Sequence, residues 1–402
     1  MMPSVSPPPP TPRPPTPRLL LLVLSLYLGA GLPMGVVAEL IPVWLHQQGS
    51  SLQTIGLASL ISLPWSLKAL WAPLVDRTGH ARRWAFAALF GVASATILVP
   101  HLGLSPALWL VLLGLTTASA TYDLAVDGWA ASTVPREHQG RVNGLRVAAY
   151  RAAMIAAGGG AVALGGLLPW TQVFAIVGVL ALLLLIPLPF APAAPRSQEP
   201  PAGGWLAALV DWFRGQGILN SLGVIVFILL FKLGDASLGP MVKPFWLERG
   251  FSVEELGLVS ITLGTALTML GALVGGELTS RMGLFRSLWV LGGVQALSNL
   301  GYLGAAVWTS RPAVWAASMT ESFTGGLGTA SFLAVLMALT GGAQATTRFA
   351  LLTALMGLTR TLSGAVSGYG ASAMGFPGWF AFSFLLALPA FAFLPAIRRR
   401  LG

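Results

Sequence analysis

Apolar runs of about twenty residues recur along this chain, separated by short polar turns. Twelve such runs stand at 19–45, 52–75, 84–101, 106–132, 141–167, 170–190, 218–245, 254–277, 287–309, 313–340, 346–371 and 377–397. Each is long enough for a helix to cross the roughly 30 Å hydrocarbon core of a bilayer. The few polar positions inside them fall at steps of three and four. Thr116, Ser119, Asp123 and Asp127 share one face of the fourth run. Lys232, Asp235, Gly239 and Lys243 share one face of the seventh, and Thr353, Met356, Arg360, Ser363 and Ser367 one face of the eleventh. That spacing predicts helices that each carry a single polar stripe.

The remaining segments complete the organisation. Residues 1–18 are rich in Pro, Ser and Thr and are expected to form a disordered cytosolic tail. Residues 191–217 are the longest interior connection, Pro-rich at first and then patterned, from Trp205 to Arg214, as a short amphipathic helix at an interface. The expected domains are therefore the tail 1–18, a six-helix bundle over 19–190, a cytosolic linker over 191–217 and a second six-helix bundle over 218–402.

Composition excludes the soluble alternatives. Hydrophobic residues make up 55% of 402 and charged residues only 9%, against about a quarter charged in soluble domains. The net charge of +10 is spread over short loops rather than gathered in one patch, so no nucleic-acid partner is expected. The chain has no cysteine, hence no disulfide. With the N-terminus in the cytosol, the inner loops and tails hold fifteen arginines and the outer loops only Arg249 and Arg311. That bias predicts both termini inside and an even number of spans.

The chain also repeats itself. Leu74, Arg77 and Gly79 recur 204 residues later as Leu278, Arg281 and Gly283, each copy closing one apolar run before the next. Arg82 recurs as Arg286, and Arg151 answers Arg360 at a slightly longer offset. Two related six-helix halves are the plan of secondary transporters and resemble the major facilitator superfamily. In that plan Asp76, Arg77, Gly79, Arg281 and Gly283, with Lys68 above them, are read as an inner gate. A topology signal alone remains the simpler reading of the basic turn.

Ionisable side chains inside a bilayer cost several kcal/mol and are read first as functional. The third, sixth, ninth and twelfth runs carry no Asp, Glu, Lys or Arg. In the resembled fold those four are outer supports and the others line the cavity. Folding the hairpin between the fourth and fifth runs sets Asp123 level with Arg151, and Asp127 level with Arg146. These pairs fit either a proton-coupling and binding role or a lock on the hairpin. Asp123, Asp127, Asp235 and Glu321 are the candidate proton carriers; Arg146, Arg151, Lys232 and Arg360 are the candidate ligands for an anionic solute, with Trp129 a possible stacking platform. Arg360 suits a carboxylate or phosphate because guanidinium binds them bidentately; its alternative is pairing with Glu321. Lys232 and Asp235 can neutralise each other locally. Lys243 is expected to snorkel outward, and Glu39 to sit solvated at the outer mouth. No Gly-rich phosphate loop, metal-ligand spacing or nucleophile constellation is present, so no enzyme activity, metal or other cofactor is expected.

A narrower resemblance rests on longer motifs. The stretch from Leu63 to Arg77, LPWSLKALWAPLVDR, is similar to the signature of the AmpG-like muropeptide permeases, a group related to acetyl-coenzyme A transporters and some siderophore importers. Tyr122-Asp123-Leu124-Ala125-Val126-Asp127-Gly128-Trp129 resembles the family's fourth-helix segment, with Tyr122 where Gln is usual. Lys232 to Ala236 and Gly325 to Ala330 match further. The resemblance implies a proton-coupled importer in the inner (cytoplasmic) membrane, acting as a monomer on a bulky polar or anionic solute such as an anhydro-muropeptide. A siderophore or other anionic-metabolite carrier is the alternative within the fold. A non-transporting receptor or assembly factor is the alternative outside it.

Overall fold

The computed structural model describes residues 16–78, 80–133, 139–191, 217–308, 310–339 and 345–401. Among them every regular element is helical. We label the spans α1 (Pro17–Gln47), α2 (52–78), α3 (Ala81–His101), α4 (Pro106–Thr133), α5 (139–165), α6 (Trp170–Phe190), α7 (218–248), α8 (Val253–Met282), α9 (Leu284–Trp308), α10 (Arg311–Leu339), α11 (345–374) and α12 (376–401). The tail's first fifteen residues, the interfacial helix expected from Trp205 to Arg214, and Gly79 lie outside the described residues.

The ends of these helices follow local chemistry. The side chains of Thr16, Ser51 and Ser252 accept from the backbone N–H three residues on, satisfying first-turn donors of α1, α2 and α8. The count of twelve rests on two irregular places. Ten segments are long and apolar enough to cross a membrane. The last of them runs Leu351–Pro395 and turns sharply at Gly375, whose φ of 68° is readily open only to glycine, which divides it into α11 and α12. The expected second span is not continuous. It runs as α-helix Leu52–Leu57, 3₁₀ Ala58–Ser62, α-helix Leu63–Leu67, 3₁₀ Lys68–Leu70 and α-helix Ala72–Thr78. Pro64 and Pro73 lack the N–H that a regular ladder needs, and their rings crowd the carbonyls four residues back.

Within the first half, α1 packs on α5, α3 on α4 and α6, and α2 on α4. Within the second, α8 and α9 pack on α10, and α7 on α11 and α12. The two halves meet along α5–α8 and α2–α11. Backbones approach there because glycine leaves room. A Cβ on Gly56 would lie 2.8 Å from the Gly368 nitrogen, and one on Gly257 would lie 2.6 Å from the Gly159 carbonyl oxygen. Gly159 sits in a π-helical turn, Ala156–Gly160, facing a second such turn, Leu256–Leu263. These approaches lie toward the end of the bundle that carries Gly49. The deepest is Ser66 against Gly357, near mid-length of both helices.

Candidate functional site

The broken α2 decides which charges meet. Its 3₁₀ turn at Lys68 presents one face to α4, where Trp65 donates to the Ser119 hydroxyl (3.2 Å) and Trp71 to that of Thr121 (3.1 Å). Between these contacts Lys68 Nζ stands 3.5 Å from Asp123 Oδ2. Asp123 is therefore paired with α2, not with Arg151 as hairpin geometry predicts. Hairpin folding fixes depth but not which neighbour fills the polar face. The other carboxyl oxygen, Asp123 Oδ1, is buried with no hydrogen-bond partner. Among the described residues, Arg151 reaches only the Met154 sulfur, 3.8 Å away.

The second expected pair forms. Arg146 donates to Asp127 Oδ1 at 2.7 Å, and Tyr27 of α1 donates to the same oxygen at 2.8 Å. The Arg146 guanidinium also stacks over the Tyr27 ring, 4.4 Å from its centroid. These residues, with Tyr150 and Arg151, line a cavity of ≈ 270 Å³. Trp129 is not on it. At 2% exposure it is packed in the core, which rules out the stacking platform.

In the second half, Lys232 interrupts α7, with φ −100° between two helical pieces. Its ammonium is 3.4 Å from Asp235 Oδ2 and donates to Gln295 Oε1 (3.1 Å) and Thr329 Oγ1 (2.9 Å). Glu321 lies on α10, and among the described residues it forms no ion pair. The alternative of Glu321 pairing with Arg360 is therefore not realised. Arg360 is exposed and, among the described residues, forms no ion pair.

Three peripheral expectations change. Lys243 does not snorkel outward and Glu39 is not free at the mouth; they form an ion pair of 3.0 Å, 14% and 17% exposed, that joins α7 to α1 across the halves. The glycine seam draws these two helices together, so each charge finds its counterpart there. Arg281 is 73% exposed and pairs within its own helix to Glu277 at 2.7 Å; among the described residues it makes no ion pair across the halves. Gly283 has φ 79°, the tight reversal expected of the basic turn. The side chains of Asp76 and Arg77 lie outside the described residues.

Sequence reasoning missed Tyr27, Tyr150, Gln295 and Asn299. The chain has only five tyrosines, and Tyr27, Tyr122 and Tyr150 all lie in this region. A phenol inside an apolar span was the available signal: the Tyr122 hydroxyl donates to the Leu26 carbonyl at 3.0 Å and ties α4 to α1.

Two bundles of six that meet around facing charges define a membrane transporter, and comparison with known proteins places it. The family profile of the Major Facilitator Superfamily matches residues 19–347, and the chain belongs to that family. The anhydromuropeptide permease of Escherichia coli (strain K12) is 32% identical over 400 residues, covering 94% of this chain and 80% of that one. A putative transporter AmpG 4 of Rickettsia conorii is 26% identical over 390 residues, covering 90% and 92%. The family and these relatives are transporters and permeases rather than enzymes. Among solved structures, a bacterial homolog of the human lysosomal transporter Spinster superposes with a TM-score of 0.77 at 15% identity, covering 96% of this chain and 98% of that one. That likeness speaks for the fold alone.

Proposed function

We propose that this chain is a proton-coupled secondary transporter that imports a bulky polar or anionic solute of the anhydromuropeptide class by alternating access. It works as a monomer in the inner membrane with both termini in the cytosol. The observation that carries this reading is the unequal use of charge around the cavity. Among the described residues Arg151 and Arg360 pair with no acid, whereas Asp123 is held by Lys68 through one oxygen only. A cation of the bundle that lacks a protein counter-ion is stabilised by a ligand anion. Arg360 and Arg151, one from each half, can clamp the acidic groups of one solute. Binding then favours the state in which the halves approach.

Asp123 supplies the coupling. A carboxylate can hold either a neighbouring ammonium or a proton, and alternation between the two ties helix position to proton occupancy. Release of Lys68 from Asp123 would free α2 from α4, and α2 also makes the glycine contacts with α11 that join the halves. The arginine bias of the loops assigns the Gly283 end to the cytosol. On that assignment the glycine seam and the Glu39–Lys243 pair close the outer side, and the conformation faces inward.

Proteoliposomes holding the protein should accumulate labelled anhydromuropeptide when the outside is the more acidic, and a protonophore should stop it. No uptake, or uptake of a ferric siderophore in its place, would remove this reading.

A further inference from the structure

Lys68 reaches Asp123 from a helix in five pieces, and the backbone around it fixes its direction weakly. Lys68 opens a 3₁₀ turn of three residues. Leu67 and Trp71 on either side have φ of −99° and −112°, well off the α-helical value of about −63°. Pro64 and Pro73 bring no N–H to the ladder nearby. The lysine itself is a flexible stem with a point charge at its tip. A roll of about 20° on a helix whose side chains reach roughly 5–6 Å from the axis moves a tip by about 2 Å. A shift of that size takes Lys68 Nζ out of its 3.5 Å contact with Asp123 Oδ2.

Two indoles control that roll. Trp65 stands three residues before Lys68 and Trp71 three residues after it. An indole N–H can only donate. Trp65 donates to Ser119 Oγ at 3.2 Å, and Trp71 to Thr121 Oγ1 at 3.1 Å. Both acceptors are buried on α4, four and two residues before Asp123. Thr121 gives its own proton to the Thr117 carbonyl at 2.8 Å, so it presents a lone pair to Trp71. Hydrogen bonds are directional, whereas apolar packing is not. One such bond on each side of Lys68 fixes both the roll of α2 and its height on α4.

We propose that Trp65 and Trp71 are positioning residues: through Ser119 and Thr121 they hold α2 in the orientation at which Lys68 reaches Asp123. Neither indole lines the cavity of Tyr27, Arg146 and Arg151, so each acts through the pair rather than on the solute. The part this frame plays in uptake rests on the coupling by Asp123 proposed above. The frame itself does not, and it is open to test without any solute.

The rate at which an amine reagent labels Lys68 in the purified protein, read by mass spectrometry, tests it. Ser119→Ala combined with Thr121→Val removes both acceptors and nearly keeps their shapes. It should raise Lys68 labelling several-fold, toward the rate in Asp123→Asn, where the pair itself is gone. Lys243, held by Glu39 elsewhere in the bundle, should keep its parental rate. Thr121→Ser retains the acceptor and should leave Lys68 as in the parent. Trp65→Phe with Trp71→Phe removes the same bonds from the donor side. Added to the Ser119 and Thr121 changes, it should bring no further rise, because one interaction is lost only once. An unchanged Lys68 rate in the variants that lack acceptors or donors, or a rise that Lys243 shares, would overturn the proposal. Where one of these two variants fails to fold, the other decides. Faster Lys68 labelling with parental accumulation of anhydromuropeptide would uphold the frame and count against coupling by Asp123.

Discussion

Each half of this protein sets a lysine against an aspartate, and the two pairs are built differently. Lys68 reaches from α2 to Asp123 on α4, and a third of its side chain is exposed (33%). Lys232 and Asp235 are three residues apart on one helix, with the lysine at 7% exposure and two further acceptors around it. Relative movement of α2 and α4 can part the first pair. No rigid helix movement can part the second, because both members travel together. The first is suited to switching by relative movement of its helices; the second stays together whichever way the helices move.

The largest expected effect breaks the switchable pair. Asp123→Asn should abolish accumulation while leaving solute exchange across the membrane. In the parent, one coupled proton supports about tenfold accumulation per pH unit, since each unit is worth about 1.4 kcal/mol. Counterflow and gradient-driven uptake measured side by side check this, and parental accumulation in the variant would remove Asp123 from the coupling. The fixed pair answers in stability instead. Asp235→Asn strands a buried ammonium and should cost about 3–5 kcal/mol, whereas Asp123→Asn leaves a partly exposed lysine and should cost about 1 kcal/mol or less. Equal losses in thermal unfolding would erase the distinction between the pairs.

Smaller effects sharpen the comparison at the binding cation and at the edges of the bundle. Arg360→Lys keeps the charge but not the planar fork. It should weaken anhydromuropeptide binding roughly tenfold or more, the scale of one charge-assisted hydrogen bond of about 1.5–3 kcal/mol. Unchanged affinity by calorimetry would leave Arg360 outside the solute site. Glu39→Gln removes the ion pair across the halves and should raise labelling of single cysteines placed beside the α5–α8 seam by a few fold. Arg281→Ala removes an exposed pair within one helix, worth about 0.3–0.5 kcal/mol, and should leave uptake rates unchanged. A large loss there would restore the basic turn as a gate.

Much of this architecture was legible before any coordinates. Apolar run length marks the spans, because lipid imposes that pattern directly, and the repeated basic turn marks the halves. The pair Lys232–Asp235 was legible because a helix fixes neighbours at i and i+3. The pair Lys68–Asp123 was not. Its geometry depends on how Pro64 and Pro73 break α2, which rotates Lys68 toward α4 in a way no regular periodicity foretells. Glu39–Lys243 was hidden for a related reason: its members are 204 residues apart and meet only where glycine backbones let the halves close. Trp129 took its packing alternative over the stacking one, because a tryptophan in a span fits either and only the packed structure decides between them.

The measurement that bears most directly on proton-coupled import is proton flux itself. In proteoliposomes loaded with a pH-sensitive dye and held without an imposed gradient, external anhydromuropeptide should acidify the interior in step with its own entry. Asp123→Asn should let solute in without that acidification. Solute entry in the parent protein with no change in internal pH would contradict the account.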